Sequence, residues 1–157
     1  MLNQIQKEVY ERAAILCSRQ EKSEAAIRRK LMEWGLKHDG IDLVIEKLLS
    51  EDFINDVRYS RSYVRDKFRF NKWGKVKITF NLKSENIASY IIEEAIEEID
   101  DDEYRSTLAG LISAKNKNIK AANDYDRKAK LFRFAQSRGF ESHVVLEVLD
   151  NLSGRKE

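Results

Sequence analysis

Apolar residues recur along this chain at helical spacing, and the same pattern occurs three times. Gly35, Asn86 and Gly139 lie 51 and 53 residues apart, and a large apolar residue follows each of them. Apolar residues also stand six, nine, ten and thirteen positions after each one: Ile41, Val44, Ile45 and Leu48; Ile92, Ala95, Ile96 and Ile99; Val145, Val148, Leu149 and Leu152. This i, i+3, i+4, i+7 spacing predicts an amphipathic helix after each of the three positions.

Two more helices are predicted before each of these positions. The nearer one carries an apolar pair four residues apart: Ile27 and Leu31, Ile78 and Leu82, Leu131 and Ala135. The farther one covers residues 5–18, 56–70 and 103–119. We therefore predict an all-α protein of about nine helices in three tandem three-helix repeats, over residues 1–51, 52–101 and 102–157. Because a repeat of about 50 residues is marginally stable alone, we expect the repeats to stack into an elongated array.

The same three positions are predicted to end helices. Glycine and asparagine adopt the left-handed backbone conformation most easily, which explains why both residue types can stand there. Short polar side chains are candidates for capping the helix starts. The predicted caps are Ser89 and Ser142, with His38 at the equivalent place in the first repeat, and Asn55, Asp102 and Asn123.

The composition supports this helical prediction. The chain of 157 residues has no proline and one cysteine, and 36% of its residues are charged. That charged fraction is typical of helices that each expose a wide polar face. Cys17 has no partner for an intrachain disulfide and is expected in a helix core. Because no apolar run approaches the roughly 20 residues of a membrane span and no signal-peptide pattern is present, we expect a cytoplasmic protein. The sequence leaves the oligomeric state open, and an elongated monomer is the default expectation.

The net charge of +2 hides an alternation of charge along the chain. Residues 56–84 carry 9 cations and 2 acidic groups, a net of +7, and residues 105–138 carry the same numbers. Residues 85–104, between them, carry 9 acidic groups and no cation. The acidic residues suit a solvated helix face, or alternatively docking onto a basic protein surface. The near-neutral total therefore says little about partners.

In the first basic block, cations alternate with aromatic residues, which suits phosphate contacts, base stacking or a protein interface. Arg58, Arg61 and Arg65 fall at i, i+3, i+7 and give one helix a basic stripe, although such a face can also be merely solvated. The aromatic residues at core spacing are expected inside the helix packing: Tyr59, Tyr63 and Phe68. Phe70 and Trp73 stand in a predicted turn and are candidates for an interface.

Motifs that carry enzyme chemistry are missing from the sequence. It has no glycine-rich phosphate loop, no paired cysteine or histidine ligands and no nucleophile elbow. His38 and His143 are expected at helix starts or on the surface. We therefore predict a protein that is not an enzyme, with no catalytic residue, no metal and no cofactor of its own.

The middle repeat resembles the RecX family, small bacterial regulators of the RecA recombinase. The residues that carry the resemblance follow the family's D-x-R-[FY]-x(3)-[FYW]-[VI] pattern and its later G, I and L-x(3)-G-[IV] positions: Asp56, Arg58, Tyr59, Tyr63, Val64, Lys67, Phe68, Gly74, Ile78, Leu82, Lys83 and Ile87. The first repeat contributes Ser23, Ala26, Leu31, Gly35 and Leu36, and Gly139–Phe140 repeats the turn. Asn86 departs from the family's usual glycine.

The resemblance implies a function. A RecX-like protein is expected to bind the RecA recombinase along the groove of its nucleoprotein filament. It would modulate, mostly by inhibition, filament growth, ATP hydrolysis and strand exchange in recombination, DNA repair and the SOS response. The predicted contact residues are Arg58, Arg61, Arg65, Lys67, Arg69, Lys72, Trp73, Lys75 and Lys77, with Lys128, Lys130 and Arg133 as a secondary patch. The alternatives are a helical protein that binds DNA directly and a helical adaptor with another protein partner.

Overall fold

A computed structural model of the protein describes residues 1–154 and shows nine α-helices and no strand among them. The all-α prediction is confirmed for these residues. The helices are α1 (Gln4–Arg19), α2 (Glu24–Glu33), α3 (His38–Ser50), α4 (Asp56–Arg69), α5 (Lys75–Ser84), α6 (Ser89–Glu97), α7 (Asp101–Asn116), α8 (Asp124–Ser137) and α9 (Ser142–Gly154). Within residues 1–154, no helix combines the length and the apolar character needed to cross a membrane.

The first of two compact units comprises Met1–Tyr63 and Leu82–Ile92. In it, α1, α2 and α3 contact one another in pairs. Their apolar faces form the core, where Leu31 and Val44 have no exposed surface. Cys17 is buried in the same core, which confirms its predicted place.

The second compact unit comprises Val64–Asn81 and the described residues from Glu93 onward. Here α7, α8 and α9 contact one another in pairs, and Leu108 and Val145 have no exposed surface. The helices α4, α5 and α6 contribute residues to both units. The predicted repeat boundaries at 51/52 and 101/102 stay predictions, and residues 155–157 of the predicted third repeat lie outside the described residues.

The three predicted left-handed residues end helices as expected. Gly35, Asn86 and Gly139 have φ angles of 96°, 58° and 92°. After α2, the Gly35 N–H donates to the Met32 carbonyl and the Leu36 N–H reaches back to the Leu31 carbonyl. Paired bonds of this kind satisfy carbonyls that a helix end would otherwise leave open.

The helix starts correct several predicted caps. Asn55 and Asn123 do cap α4 and α8, accepting hydrogen bonds from the N–H groups of Arg58 and Asp126. Asp102 does not cap α7, because the first of the three consecutive aspartates, Asp100, has the extended backbone of a cap. The other wrong predictions are each one residue late, since His38, Ser89 and Ser142 are themselves the first helical residues.

The aromatic residues of α4 are buried to different degrees. Phe68 is buried, as predicted. Tyr59 and Tyr63 are only half-buried, with their ring centroids 5.8 Å apart. Burial raises the pKa of Tyr59 to about 12. A tyrosine at the edge of a core keeps its ring inside and leaves its hydroxyl near water.

Candidate binding surface

The second unit gathers many of the predicted contact residues in one turn, residues 65–77, which we call the basic aromatic turn. It runs from the end of α4 to the start of α5 and carries six cations and a single carboxylate, that of Asp66. The Phe70 N–H donates to the Asp66 carbonyl at 2.9 Å, and the Trp73 N–H donates to the Lys67 carbonyl at 3.1 Å. These bonds extend α4 and close the turn behind it.

A backbone contact between Gly74 and Gly139 braces this turn. The Gly74 N–H donates to the Arg138 carbonyl at 2.8 Å, and the Val76 N–H donates to the Gly139 carbonyl at 2.9 Å. A Cβ atom on Gly74 would overlap the Gly139 backbone, and one on Gly139 would overlap Lys77. Both positions therefore exclude a side chain, and the turn between α8 and α9 holds the basic aromatic turn in place.

Tyr104 is the second brace, and its side chain is only 1% exposed. Its hydroxyl accepts from the Lys75 N–H at 2.9 Å and donates to the Glu141 carboxylate. Its ring packs on Phe68 and Phe140, with centroids 5.8 and 5.0 Å away. Burial, reinforced by the hydrogen bond to Glu141, raises the pKa of Tyr104 far above its usual range. The hydroxyl therefore stays protonated and keeps its hydrogen bond to the Lys75 N–H in the first turn of α5.

Three of the predicted contact lysines lie over aromatic rings. The Nζ atoms of Lys67 and Lys77 are 4.9 and 4.4 Å from the centroid of the half-buried Trp73 ring. The Nζ atom of Lys75 is 4.6 Å from the Tyr104 ring. Cation–π attraction stabilises these positions. The Trp73 ring thus makes cation–π contacts with two lysines of this chain.

Other members of the turn face solvent. Arg65, Arg69 and Lys72 are exposed, and Phe70 is 80% exposed. The backbone of Lys72 has a φ of 56°, which is uncommon for a residue with a side chain. Phe70, predicted as a candidate for an interface, therefore presents its ring among exposed cations.

The first two turns of α5 add an apolar face that was not predicted from the sequence. Val76 is 54% exposed and Phe80 is 72% exposed. The helical period could have revealed Phe80, because it stands two residues from both Ile78 and Leu82. Two residues correspond to about 200° around a helix, so Phe80 must point away from their buried face.

Arg58, by contrast, is held within the first unit. Its Nε atom lies 2.7 and 2.8 Å from the Glu21 carboxylate oxygens, and its Nη1 atom donates to Asp52 at 3.1 Å. Nη2 donates to the Asp52 carbonyl at 3.0 Å. The hydrogen bond to Glu21 raises the pKa of Arg58. The predicted stripe of Arg58, Arg61 and Arg65 is therefore not uniform, since its first member already has partners.

Asp56 also has a partner inside the first unit. Its carboxylate accepts from the Glu24 N–H at 3.1 Å, at the start of α2. Burial raises the pKa of Asp56, and the neighbouring Glu24 and Glu85 carboxylates raise it further. The buried Ser23 caps the same helix and donates its hydroxyl to Glu85 at 2.6 Å. Asp56 thus stabilises the start of α2 in this unit.

The predicted secondary patch on α8 is engaged with acidic and carbonyl groups. Lys128 pairs with Asp150 at 3.1 Å. Lys130 pairs with Asp126 at 3.2 Å and donates to the Lys120 carbonyl at 2.6 Å. Arg133 is exposed. The patch therefore differs from the basic aromatic turn, where Arg65, Arg69, Lys72 and the Phe70 ring are exposed.

In the described part of the chain, no group of three histidine, cysteine, aspartate or glutamate side chains is arranged to hold a metal ion. The braces at Gly139, Tyr104 and Glu141 were not predicted as parts of the site. The hydrogen bonds of these braces join residues 29 to 64 positions apart in sequence, where helical periodicity carries no signal.

Three family models match the chain in the expected order. They are described as the first three-helix domain of RecX, over residues 10–48, the second, over 55–96, and the third, over 101–149. A regulatory protein RecX of Clostridium perfringens is 32% identical over 138 residues. That match covers 86% of this chain but 64% of the relative, just under two thirds of its length. A regulatory protein RecX of Chlorobium phaeobacteroides is 30% identical and is matched over 94% of its length.

Two solved structures share the fold. The crystal structure of RecX from Lactobacillus salivarius matches with a TM-score of 0.87 at 23% identity, over 97% of this chain and 99% of that one. A crystal structure of regulatory protein RecX matches with a TM-score of 0.85, over 93% of this chain and 72% of that one. These likenesses establish a common three-dimensional architecture.

Proposed function

The chain belongs to the RecX family of regulatory proteins, and from that membership we propose that it binds the RecA recombinase and its nucleoprotein filament. Binding would modulate, mostly by inhibition, filament growth, ATP hydrolysis and strand exchange. In this proposal the ATP and the chemistry belong to the partner. The site of action would be the cytoplasm, where recombination takes place.

The observation that supports this proposal is the basic aromatic turn. Its exposed cations and the exposed Phe70 ring form a preorganised surface, because the backbone beneath them is braced by Gly139 and Tyr104. A braced surface loses little conformational entropy when it binds. Within the predicted contact set we assign direct contacts to Arg65, Arg69 and Lys72, and we assign to Arg58 a supporting role in folding.

The test is a titration of preformed recombinase filaments with this protein, following ATP hydrolysis and light scattering. We expect inhibition at or below equimolar ratios. The variant Arg65→Glu/Arg69→Glu should lose it while keeping its melting temperature, because both side chains are exposed. Lys7→Glu, an exposed charge reversal in the first turn of α1, is the matched control and should inhibit normally.

Two outcomes would contradict the proposal, and a third would relocate the contact surface. Unchanged filaments at equimolar protein, together with DNA binding by the protein alone, would favour a DNA-binding helical protein. Unchanged filaments without DNA binding would favour a helical adaptor for another protein. Full inhibition by Arg65→Glu/Arg69→Glu, with inhibition lost in Arg133→Glu, would move the contact surface to α8.

A further inference from the structure

We propose that Phe70 and Phe80 are stacking platforms for the bases of a single-stranded nucleic acid whose phosphates contact Arg65, Arg69 and Lys72. This proposal rests on the proposed function, since it names the ligand of the same basic aromatic turn, extended along α5 to Phe80. It commits to single strands because the bases of a duplex are stacked on each other and offer no free face.

The first support is exposure. Phe70 and Phe80 are 80% and 72% exposed. Single exposed apolar residues are common on proteins, but here both stand in one short segment with six cations. Aromatic rings interleaved with cations are the arrangement that binds single strands, with rings for bases and cations for phosphates.

The second support is the charge around the rings. Residues 64–81 contain one carboxylate against the six cations. An apolar protein partner could bury the two rings, but its surface would then lie against the six cations. It would therefore need acidic groups at positions that match them. A nucleic acid strand supplies a negative charge at every nucleotide, so it complements any spacing of the cations.

Trp73 is not assigned a stacking role, although it is the largest aromatic residue of the turn. It is half-buried, and the Nζ atoms of Lys67 and Lys77 lie 4.9 and 4.4 Å from its ring centroid. A base that stacked on this ring would have to displace a lysine. Trp73 instead positions two cations at the edge of the strand's path.

The experiment measures fluorescence anisotropy of a labelled 20-nucleotide oligo-dT, and separately a 20-base-pair duplex, titrated with the full chain. We expect the single strand to bind more tightly than the duplex. Three phosphate contacts predict a salt slope of about −2, since each contributes about −0.7 on single strands. Arg65→Gln/Arg69→Gln should reduce that slope by about 1.4 for the same reason.

Leucine variants separate stacking from apolar contact. Phe70→Leu and Phe80→Leu keep an apolar side chain and remove the ring, so each should weaken oligo-dT binding by roughly 5- to 150-fold, the range for one lost stacking contact. Tyr125→Leu is the matched control, because Tyr125 is 84% exposed on α8, outside the surface. It should bind like the parent protein, and melting curves should show all three variants folded.

Several results would overturn the inference. Equal affinity for oligo-dT and duplex, or leucine variants that bind oligo-dT as tightly as the parent, would exclude stacking on these rings. Leucine variants that lose binding to DNA-free recombinase but not to oligo-dT would assign the face to a protein partner. The proposed function fails separately, since it fails only if filaments are unaffected by the parent protein.

Discussion

The two ends of α4 use arginine in opposite ways. At its start, Arg58 bonds to two carboxylates and a backbone carbonyl, and so fastens the chain of the first unit. At its end, Arg65 and Arg69 project into solvent beside the exposed Phe70. If an arginine that already pairs with carboxylates were to bind a ligand, those pairs would break and the folded state would lose stability. A basic helix therefore divides into a structural part and a part available for binding.

The largest expected effect comes from filling the backbone contact beneath the exposed end of α4. Gly139→Ala should destabilise the protein by about 3–5 kcal/mol, because it adds both a left-handed alanine and an overlap with Lys77. Urea unfolding measures the change. Gly110→Ala is the control, since that helical position has open space and should gain about 0.5–1 kcal/mol. A Gly139→Ala variant of normal stability would contradict the brace.

The next effect tests the second brace. Tyr104→Phe leaves the Lys75 N–H without its acceptor and should cost about 1–3 kcal/mol at pH 7. The raised pKa of Tyr104 also predicts a pH dependence. The stabilising contribution of the protonated hydroxyl is complete below about pH 10, the unfolded-state pKa, and falls above it by up to about 1.4 kcal/mol per pH unit.

Unfolding measured at pH 9, 10 and 11 checks this dependence, and Tyr104→Phe should reduce its slope. Tyr10→Phe is the comparison in the first unit, where burial and then the hydrogen bond to Glu51 raise the pKa of Tyr10 to about 12. Tyr10→Phe should reduce the slope over the same pH range without altering ligand binding. An unchanged alkaline profile in Tyr104→Phe would show that the hydroxyl is not held protonated.

The contrast within α4 itself is tested by a third pair of variants. Arg58→Ala should lower the free energy of unfolding by about 1–2 kcal/mol, a value reduced by its partial exposure. Once folded, it should bind the filament normally. Arg65→Ala/Arg69→Ala should do the reverse, with stability within about 0.5 kcal/mol of the parent and weaker binding. Equal effects of both changes on stability would remove the distinction between the two ends.

The smallest effect concerns the left-handed residues. Asn86→Gly should stabilise the protein by at most about 1 kcal/mol, because glycine removes the Cβ penalty but gains entropy in the unfolded chain. Lys72→Gly also replaces a left-handed residue by glycine, but it removes an exposed cation from the basic aromatic turn as well. We expect thermal melts to show similar gains, and salt titrations to show weaker ligand binding only for Lys72→Gly.

Much of the fold follows from the sequence, because local periodicity determines it. The apolar residues counted from Gly35, Asn86 and Gly139 are buried or half-buried, and all three adopt the left-handed conformation. The positions of the helix caps were predicted less accurately. Nearby polar residues such as Asp100 and Asp102 can each cap a helix, and only the backbone conformation decides between them.

The candidate site was predictable in part. Its cations and aromatic residues are visible in the sequence, and the period of α5 contains the signal for Phe80. The partners of Arg58 and Tyr104 were not predictable, because Glu21 and Glu141 each lie 37 residues away and join them only after helices pack. Which arginine is structural and which is available thus depends on tertiary contacts.

The contact between Gly74 and Gly139 also decides which deletions can be interpreted. A shortened chain that ends before α7 would remove the carbonyls of Arg138 and Gly139 and the hydroxyl of Tyr104, which accept from Gly74, Val76 and Lys75. The remaining turn would keep every one of its cations and lose its shape. Loss of activity after such a deletion would therefore report on the scaffolding of the turn and would not identify a ligand contact in the deleted helices.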